Sequence, residues 1–419
     1  MEDKTREAFL FPFHDASCDI GKLSFHLIVL VTLAAPLFLV WSAWRLLTGL
    51  MALPHTCTSC DIGKLSFHLI VLVTLAAPLF LVWSAWRLLT GLLALPHHVY
   101  QVGDDMVFHF CQRLMIALLE GVVGVKVLFY GDIGDIVQKK ERAFYIVNHQ
   151  SSFDWIAVSL LAERTGCTGN LRFIVKKTIQ SVPLLGFYFH QHGCIYINRQ
   201  QLNHFKMKQG LYYLQNKFIQ SSVVLFPEGN RFIPGKMDVI KKSTEFAVSQ
   251  GLPIPRQHLM PRARGFVLTV EEMRNYLDAV YCVTIIYGGT KMPHGGRRAA
   301  PNICDMFTGK CGVVHMHIKR TPINRLPDDD NGLKKFIFDA FYEKDKMLTA
   351  YYESDETPPE LQNPVFVPCE HVHSKLVSVA AVFTVSFLLL TPGGRACVWM
   401  TWLYGSIFGY SWLGMNSVA

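Results

Sequence analysis

Residues 143–154 read AFYIVNHQSSFD, in which a short run of apolar and aromatic residues is followed at once by a polar turn. The run AFYIV predicts a buried strand, and the helical spacing of apolar residues over Phe153–Arg164 predicts a helix directly after it. Strands that alternate with helices in this way are typical of α/β folds. The polar residues between them would lie at the end of a strand, where such folds usually place their chemistry.

The same pattern recurs through the middle of the chain. Five more runs predict strands, namely Leu171–Val175, Cys194–Ile197, Val223–Phe226, Tyr281–Tyr287 and Val313–Ile318. Apolar residues at helical spacing separate several of these runs, as over Leu202–Phe218. We therefore expect one α/β domain over residues 99–352, built on a mainly parallel or mixed sheet with flanking helices.

The two ends of the chain differ from this middle part because long stretches carry no charge. Leu23–Trp44 is such a stretch, and it is longer than the roughly 20 residues needed to cross a bilayer. Near the other end Leu376–Gly394 is uncharged, and aromatic residues typical of the headgroup level follow it. We expect membrane helices at both ends: an anchor region at residues 1–98, and a hairpin at 375–419 after a Pro- and Glu-rich linker at 353–374.

The N-terminal anchor is encoded twice. Residues 17–55 recur as residues 59–97, and Met51 against Leu93 is the only difference. Repeats that stack into solenoids diverge at surface positions, so this near-exact copy indicates a recent exon duplication or a gene-model error rather than repeated architecture. With one anchor the N-terminus and the middle of the chain lie on opposite sides of the membrane, and with two on the same side. The Lys and Arg residues beside the anchors favour neither arrangement.

Composition narrows the class of protein. The chain has 419 residues, 51% of them hydrophobic and only 17% charged, which excludes a disordered or low-complexity protein. Its net charge of +8 suits a membrane surface, a phosphate-bearing substrate or nucleic acid, and does not choose among them. Eleven cysteines without regular spacing favour reduced thiols that face the cytosol over a disulfide framework.

His149 and Asp154 in the loop NHQSSFD are the first candidates for chemistry, as a base and the carboxylate that orients it. If both residues were on one helix, their separation of five positions would turn the two side chains about 140° away from each other. The pair therefore requires His149 on the loop and Asp154 in the first helical turn, with Ser151 as the N-cap. The alternative is structural, because Ser151 and Asp154 also form a capping pattern. The same spacing in His14 and Asp19 shows that it also arises by chance.

Two more strand ends carry groups suited to an anionic ligand. Val223–Arg231 runs from a strand into the turn FPEGN, where Gly229 lets a ligand approach the backbone and Arg231 can meet a phosphate. Arg199 likewise follows the predicted strand CIYI, so it would lie at the end of that strand and could hold a phosphate. The structural alternative for Val223–Arg231 is an ordinary turn after a strand. The structural alternative for Arg199 is an exposed charge at the rim of the sheet.

Other patterns are interpreted as structural. His315 and His317 have the spacing of a pair of metal ligands, but alternate positions of a predicted strand produce the same spacing. The sequence offers no evident third ligand. The basic pairs Lys241–Lys242 and Arg297–Arg298 are interpreted as solvated faces, although a membrane protein can use such pairs against anionic lipid.

Taken together and in this order, NHQSSFD, GCIYINR and FPEGN resemble the glycerolipid acyltransferases, whose motifs are NHx4D and FPEG. The phrases VPLLGFYFHQHGCIYINR and LMPRARGF are similar to the 1-acylglycerol-3-phosphate acyltransferases within that family, most closely to their epsilon subgroup. The resemblance runs from about Val99 to the C-terminus and leaves the duplicated segment outside it.

The resemblance implies transfer of an acyl chain from acyl-CoA, as co-substrate, to the sn-2 hydroxyl of lysophosphatidic acid. The product would be phosphatidic acid, made at a membrane surface without a metal or other cofactor. His149 matches the general base and Asp154 the group that orients it. Residues matched to the binding of substrates are Arg199, Glu228, Gly229, Arg231, Pro261 and Lys177. Pro261 falls in the motif associated with the acyl donor.

Two other functions stay open. One is acyl-CoA-dependent remodelling of lysophosphatidylglycerol or lysocardiolipin. The other is a catalytically weak membrane protein that binds phospholipid, since Asn230 stands where the family usually has Thr or Ser. The implied chemistry predicts a multi-pass protein of the endoplasmic reticulum membrane, with the mitochondrial outer membrane as second choice, and no nucleic-acid partner.

Overall fold

The computed structural model describes residues 59–137, 139–198, 203–216, 218, 220–293, 295–369 and 375–417. The first copy of the duplicated segment, with the anchor predicted at Leu23–Trp44, lies outside the described residues, and so does Arg199. The second copy supplies one long helix that contains Pro78, the counterpart of Pro36 in the first copy.

Strands and helices alternate over the described middle of the chain. The strands are β1 Lys126–Gly131, β2 Ala143–Val147, β3 Leu171–Lys176, β4 Ile195–Ile197, β5 Ser222–Leu225, β6 Ala279–Tyr287 and β7 Val313–Pro322. The α-helices are α1 Ser59–Leu92, α2 His97–Ile116, α3 Ile133–Val137, α4 Asp154–Arg164, α5 Leu185–Gln191, α6 His204–Leu214, α7 Met237–Ser249, α8 Ala263–Met273, α9 Ile303–Phe307, α10 Asp330–Glu353, α11 Lys375–Leu390 and α12 Pro392–Ser417. A π-helical turn, Ala117–Val123, continues α2, and short 3-10 turns lie at Thr168–Asn170, Lys177–Ser181, Ile323–Arg325 and Pro359–Leu361.

The strands form one mixed sheet in the order β1-β7-β6-β2-β5-β3-β4. All neighbouring pairs run parallel except β6 and β7, which are antiparallel. The predicted α/β class, with a mixed sheet and flanking helices, is therefore confirmed. All six predicted strands are present with their ends shifted by a few residues, whereas none of the predicted runs covers the edge strand β1.

Both faces of the sheet are covered, and this explains why its central strands read as continuous apolar runs. All five residues of β2 are buried. Tyr145 and Val147 belong to one core cluster with Leu160 of α4. Phe144 and Ile146 belong to a second cluster, on the other face, with residues of α6, α8 and α10. Burial from both sides fixes the carboxyl ends of β6, β2 and β5 next to one another.

Apolar helices from the two ends of the described chain pack together. Ala77 of α1, Leu388 of α11 and Val398 of α12 form a buried cluster. Nε1 of Trp402 in α12 donates a hydrogen bond to the carbonyl oxygen of Val73 in α1, at 3.1 Å. These contacts join the N-terminal and C-terminal apolar segments into one helical layer.

Two described helical stretches, Val73–Leu92 and His97–Val123, are long and apolar enough to cross a membrane. A third is present if Phe383–Leu390 and Pro392–Met415, which meet at 92°, count as one bent span. The second stretch begins at the predicted start of the α/β domain, and Phe108 and Ile116 of α2 pack in the core cluster of that domain.

The predicted linker at 353–374 lies along the edge of the sheet over its described part. Val365 and Phe129 of β1 exchange two backbone hydrogen bonds, at 2.8 and 3.1 Å. Leu361 and Cys369 are buried on either side of this bridge. The segment therefore covers part of the outer edge of β1.

A buried cation joins α2 to the sheet. Arg172 of β3 is 2% exposed and donates hydrogen bonds to Oδ1 of Asp105 and, at 2.8 Å, to Nε2 of His192. Nδ1 of His192 contacts Oδ2 of Asp104 at 2.6 Å. Asp104, Asp105 and His192 are close enough to hold a metal ion. The guanidinium already supplies positive charge among these groups, so we interpret the cluster as a hydrogen-bonded brace.

Replacing Arg172 with Met should lower the free energy of unfolding by about 3 to 5 kcal/mol, because Asp105 then stays buried without its cation. Denaturant unfolding of the full chain in detergent measures this. Lys335→Met is the control, since this side chain is 79% exposed and pairs with Asp339 four residues on. Its loss should cost about 0.5 kcal/mol or less. Equal effects of the two substitutions would contradict the role given to Arg172.

Candidate active site

The candidate site lies where three adjacent parallel strands end. The chain leaves β2 at Val147, β5 at Leu225 and β6 at Tyr287, and these strands are neighbours in the order β6-β2-β5. Loops that follow parallel strands meet at the carboxyl edge of a sheet, which is the usual position of a site in an α/β fold. The loops with His149 and Glu228 therefore lie side by side.

His149 and Asp154 are in contact. His149 lies on the loop after β2, and Asp154 is the first residue of α4, as the pair requires. Nδ1 of His149 is 2.8 Å from Oδ2 of Asp154, and the two side chains are 17% and 0% exposed. Because an ionised carboxylate can only accept, the proton of the neutral imidazole lies on Nδ1, and in that form Nε2 presents its lone pair. A neutral imidazole held in this way is suited to act as a base.

Asp154 is held by more than the histidine. Its Oδ2 also accepts hydrogen bonds from the backbone N–H groups of Gln150, at 2.7 Å, and Ser151, at 2.8 Å. Its Oδ1 accepts one from the hydroxyl of Tyr287, at 2.6 Å. The capping and the chemical interpretations are therefore both satisfied by one carboxylate.

The expectation that Ser151 is the N-cap is wrong. The helix begins at Asp154, and Phe153 occupies the N-cap position. Oγ of Ser151 instead accepts a hydrogen bond from the backbone N–H of Phe153, at 2.9 Å. The backbone donors of the turn are thus shared between the carboxylate of Asp154, which accepts two of them, and Oγ of Ser151, which accepts one.

Asn148, which the sequence did not single out, extends the sheet beyond the end of β2. Its Nδ2 donates to the carbonyl of Ile285, at 3.1 Å, and its Oδ1 accepts from the N–H of Ile285, at 2.8 Å. Nε2 of Gln150 donates to the same carbonyl at 2.6 Å. The loop that carries His149 is therefore fixed to β6 on both sides of the histidine.

Lys344 of α10 joins the same two strands from one face of the sheet. Its Nζ donates to the carbonyl oxygens of Ile146 in β2, at 3.2 Å, and of Val283 in β6. Burial lowers the pKa of this ammonium group to about 8. The contact fixes the backbone three residues before His149.

Glu228 connects two loops. Oε1 accepts from the backbone N–H of His149 at 2.6 Å, and Oε2 accepts from that of Leu259 at 2.8 Å. Burial raises the pKa of Glu228 to about 8, which outweighs the opposing effect of the two N–H donors. Glu228 thus holds the loop after β2 against the segment that leads to Pro261.

Gly229 and Pro261 lie in these connected loops. Gly229 is buried and has a φ of +73°, a conformation that favours glycine. The backbone N–H of Arg262 donates to the carbonyl of Pro227 at 2.8 Å, which ties the two loops together. Pro261 lines a small, mainly apolar pocket between residues 252–261 and α10, where Phe341 forms part of the wall.

Arg231 and Lys177 are both exposed. Arg231 immediately precedes Phe232, whose backbone N–H donates to the carbonyl of His149 at 2.8 Å. Lys177 begins the turn after β3, which β5 separates from β2. The structure thus brings Glu228 and Gly229 to His149, leaves Arg231 at the rim, and sets Lys177 one strand further along the same edge.

The interpretation of Arg297 as part of a solvated basic face is wrong. Its guanidinium carbon lies 4.9 Å from the ring centre of Phe232 and 4.7 Å from that of Tyr352. A pair of arginines after a strand is a poor signal by itself. The preceding Gly295 and Gly296 are the local sign of a tight turn that directs one arginine inward.

Comparison with known proteins gives consistent matches. The family model described as Acyltransferase matches residues 132–288, and the one described as Acyltransferase C-terminus matches residues 305–385. The chain is 33% identical over 322 residues to the 1-acyl-sn-glycerol-3-phosphate acyltransferase epsilon of Mus musculus, covering 75% of this chain and 86% of that protein. It is 30% identical over 272 residues to the 1-acyl-sn-glycerol-3-phosphate acyltransferase 2 of Arabidopsis thaliana, covering 64% and 67%. The crystal structure of the 1-acyl-sn-glycerophosphate (LPA) acyltransferase, PlsC, from Thermotoga maritima aligns with a TM-score of 0.38 and 15% identity over 67% of this chain and 95% of that one.

Raising the pH from about 5 to about 8 should destabilise the wild type relative to Glu228→Gln. The folded protein keeps the proton of Glu228 up to a pKa of about 8, whereas the unfolded chain releases it near 4.5. The stability due to this group is therefore complete below that lower value and is lost as the pH rises, by up to about 1.4 kcal/mol per pH unit. Denaturant unfolding at the two pH values measures the difference.

The control for this experiment is Glu245→Gln, because the Glu245 side chain is 63% exposed. Its unfolding should show the same pH dependence as the wild type. A parallel pH dependence of the wild type and Glu228→Gln would show that Glu228 is ionised in the folded protein.

Proposed function

The chain belongs to the 1-acyl-sn-glycerol-3-phosphate acyltransferases, and we propose that it transfers an acyl chain from acyl-CoA to the sn-2 hydroxyl of lysophosphatidic acid. The names of the relatives support this acceptor, since 1-acyl-sn-glycerol 3-phosphate is lysophosphatidic acid. The observation that carries the proposed chemistry is the contact of 2.8 Å between His149 and the buried Asp154. That contact leaves Nε2 of the histidine as the base.

The reaction begins when Nε2 of His149 takes the proton of the sn-2 hydroxyl. The hydroxyl oxygen attacks the thioester carbon of acyl-CoA and forms a new C–O bond. The C–S bond then breaks, and the departing thiolate of CoA takes the proton back from His149. Phosphatidic acid and free CoA leave, and no covalent acyl-enzyme is formed.

Asp154 serves this cycle in two ways. It keeps the proton of the neutral imidazole on Nδ1, and its charge stabilises the imidazolium that exists while Nε2 holds the substrate's proton. The hydroxyl of Tyr287 and two backbone N–H groups fix the carboxylate in place. The histidine is therefore oriented before the substrate binds, so little reorganisation is needed.

A membrane surface is the proposed place of the reaction. The turn Lys177–Ser181 follows β3 at the candidate site's edge of the sheet, and the carbonyl of Ser181 accepts a hydrogen bond from Tyr410 of α12 at 2.9 Å. Phe187 of α5 contacts Trp412 of the same helix, with ring centres 5.4 Å apart. These contacts support a site that opens beside the apolar helices, where a lysophospholipid arrives from the bilayer. We propose the endoplasmic reticulum membrane as the location, with the mitochondrial outer membrane second.

His149→Ala should reduce kcat for acyl transfer by about 10²- to 10⁴-fold, because it removes the general base. The measurement is transfer of a labelled acyl chain from acyl-CoA to lysophosphatidic acid in membranes that contain the full chain. His204→Ala is the control, because His204 is exposed at the start of α6. It should retain the activity of the wild type.

Equal rates for the wild type and His149→Ala would exclude His149 as the base. The same assay with lysophosphatidylglycerol and monolysocardiolipin as acceptors distinguishes remodelling from synthesis of phosphatidic acid. If the wild type binds these lipids without turnover and Asn230→Thr gains activity, the chain is a phospholipid-binding protein instead.

A further inference from the structure

Arg297 lies on a hairpin loop between β6 and α9 that is held against α10. Lys291 and Arg297 pair across the loop, and Gly295 and Gly296 have φ values of +80° and +91° at its tip. The N–H of Gly296 donates to the carbonyl of Tyr352 at 3.2 Å. The loop is therefore tied to the C-terminal part of α10 next to the arginine.

Two aromatic rings and one hydrogen bond hold the guanidinium group of Arg297 in place. The rings of Phe232 and Tyr352 lie within 5 Å of it, a distance at which both attract the positive charge. Nη1 donates to the carbonyl of Gln257 at 2.6 Å. Since Phe232 also binds the backbone of His149, the arginine is one side chain away from the candidate base.

The remaining edge of this guanidinium has no partner. Nε and Nη2 are buried and make no hydrogen bond within the described part of the chain. Leaving buried donors unsatisfied is costly, and such groups usually point to a ligand or a functional constraint. The Nε and Nη2 hydrogens are directed the same way, and this is the edge with which arginine binds a phosphate or a carboxylate through two parallel hydrogen bonds.

The protein's own carboxylates near this edge are already occupied. Glu228, Asp154 and Asp345 all interact electrostatically with Arg297. Both oxygens of Asp345 accept backbone N–H groups, from residues 256 and 257. Both oxygens of Glu228 accept backbone N–H groups, and both oxygens of Asp154 accept other donors. The Nε–Nη2 edge is therefore positively charged and unpaired within the described residues, while the neighbouring carboxylates are hydrogen-bonded to other groups.

We infer that the Nε–Nη2 edge of Arg297 binds the phosphate of the acceptor lipid. This inference rests on the proposed function and names the group that positions the acceptor. In lysophosphatidic acid one methylene and one ester oxygen separate the phosphorus from the carbon that bears the reacting hydroxyl. Because the backbone of Phe232 binds that of His149, a phosphate held by Arg297 would leave that hydroxyl on the side of the site that carries the histidine. Its charge of about −1.5 to −2 enters a site that already holds acidic side chains, and Arg297 compensates part of that charge.

The first test is steady-state kinetics of Arg297→Lys in the full chain. Lysine keeps the charge but has no planar fork, so KM for lysophosphatidic acid should rise roughly 10- to 100-fold. KM for acyl-CoA should change much less, because the inference assigns this edge to the acceptor. Arg298→Ala is the matched control, since Arg298 is the next residue on the same loop and is exposed. It should leave both KM values unchanged.

Two kinetic results would overturn the inference. A rise confined to KM for acyl-CoA would assign the edge to a phosphate of the donor. An unchanged KM for lysophosphatidic acid would show that any charge at this position is sufficient, or that Arg297 only stabilises the packing of Phe232 and Tyr352.

A second test does not depend on turnover. In the His149→Ala protein, lysophosphatidic acid should raise the unfolding temperature more than monoacylglycerol, which lacks the phosphate. This difference should disappear when Arg297→Lys is added, and its persistence would overturn the role of Arg297. Absence of acyl transfer by the wild type would instead overturn the proposed function, and the binding comparison would still decide on Arg297.

Discussion

The rest of the site depends on one fully buried carboxylate. Asp154 accepts four hydrogen bonds, and their donors come from the loop after β2, from the base itself and from the end of β6. A buried charge is tolerated only when it is paired and hydrogen-bonded, so these elements cannot separate without a large cost. The interaction that orients His149 is therefore also one that holds the carboxyl edge of the sheet together.

The second carboxylate, Glu228, extends this arrangement to the next strand. It links the backbone of His149 to that of Leu259, and from there the chain continues to Pro261 and the apolar pocket. Lys344 fixes the carbonyls of β2 and β6 on the other side. Three buried ionisable groups thus position the loop around one histidine. Of these four ionisable side chains the histidine is the one partly open to solvent, so a rigid frame surrounds an accessible reactive group.

The sequence predicts well what is decided within a few residues. AFYIV is buried on both faces and lies next to the loop that carries the site. His149 and Asp154 meet across one turn, so the strand before them and the helix after them were local signals that the spacing by itself did not give. Contacts between distant segments could not be predicted. The apolar nature of α2 is obscured by Asp105, whose partner Arg172 lies on a strand much later in the chain. Arg297 resembled a solvated residue because the rings that enclose it come from two other segments. Arg199 stays a prediction.

The segment after α10 has a consequence for association between copies of the chain. An unpaired strand at the edge of a sheet offers its backbone groups to any other strand, and natural proteins block such edges. Here β4, at one edge, has only three residues, and at the other edge Val365 pairs with the middle of β1. A chain that ended before this bridge would present β1 as a bare template, so residues 361–369 protect the enzyme from edge-to-edge aggregation.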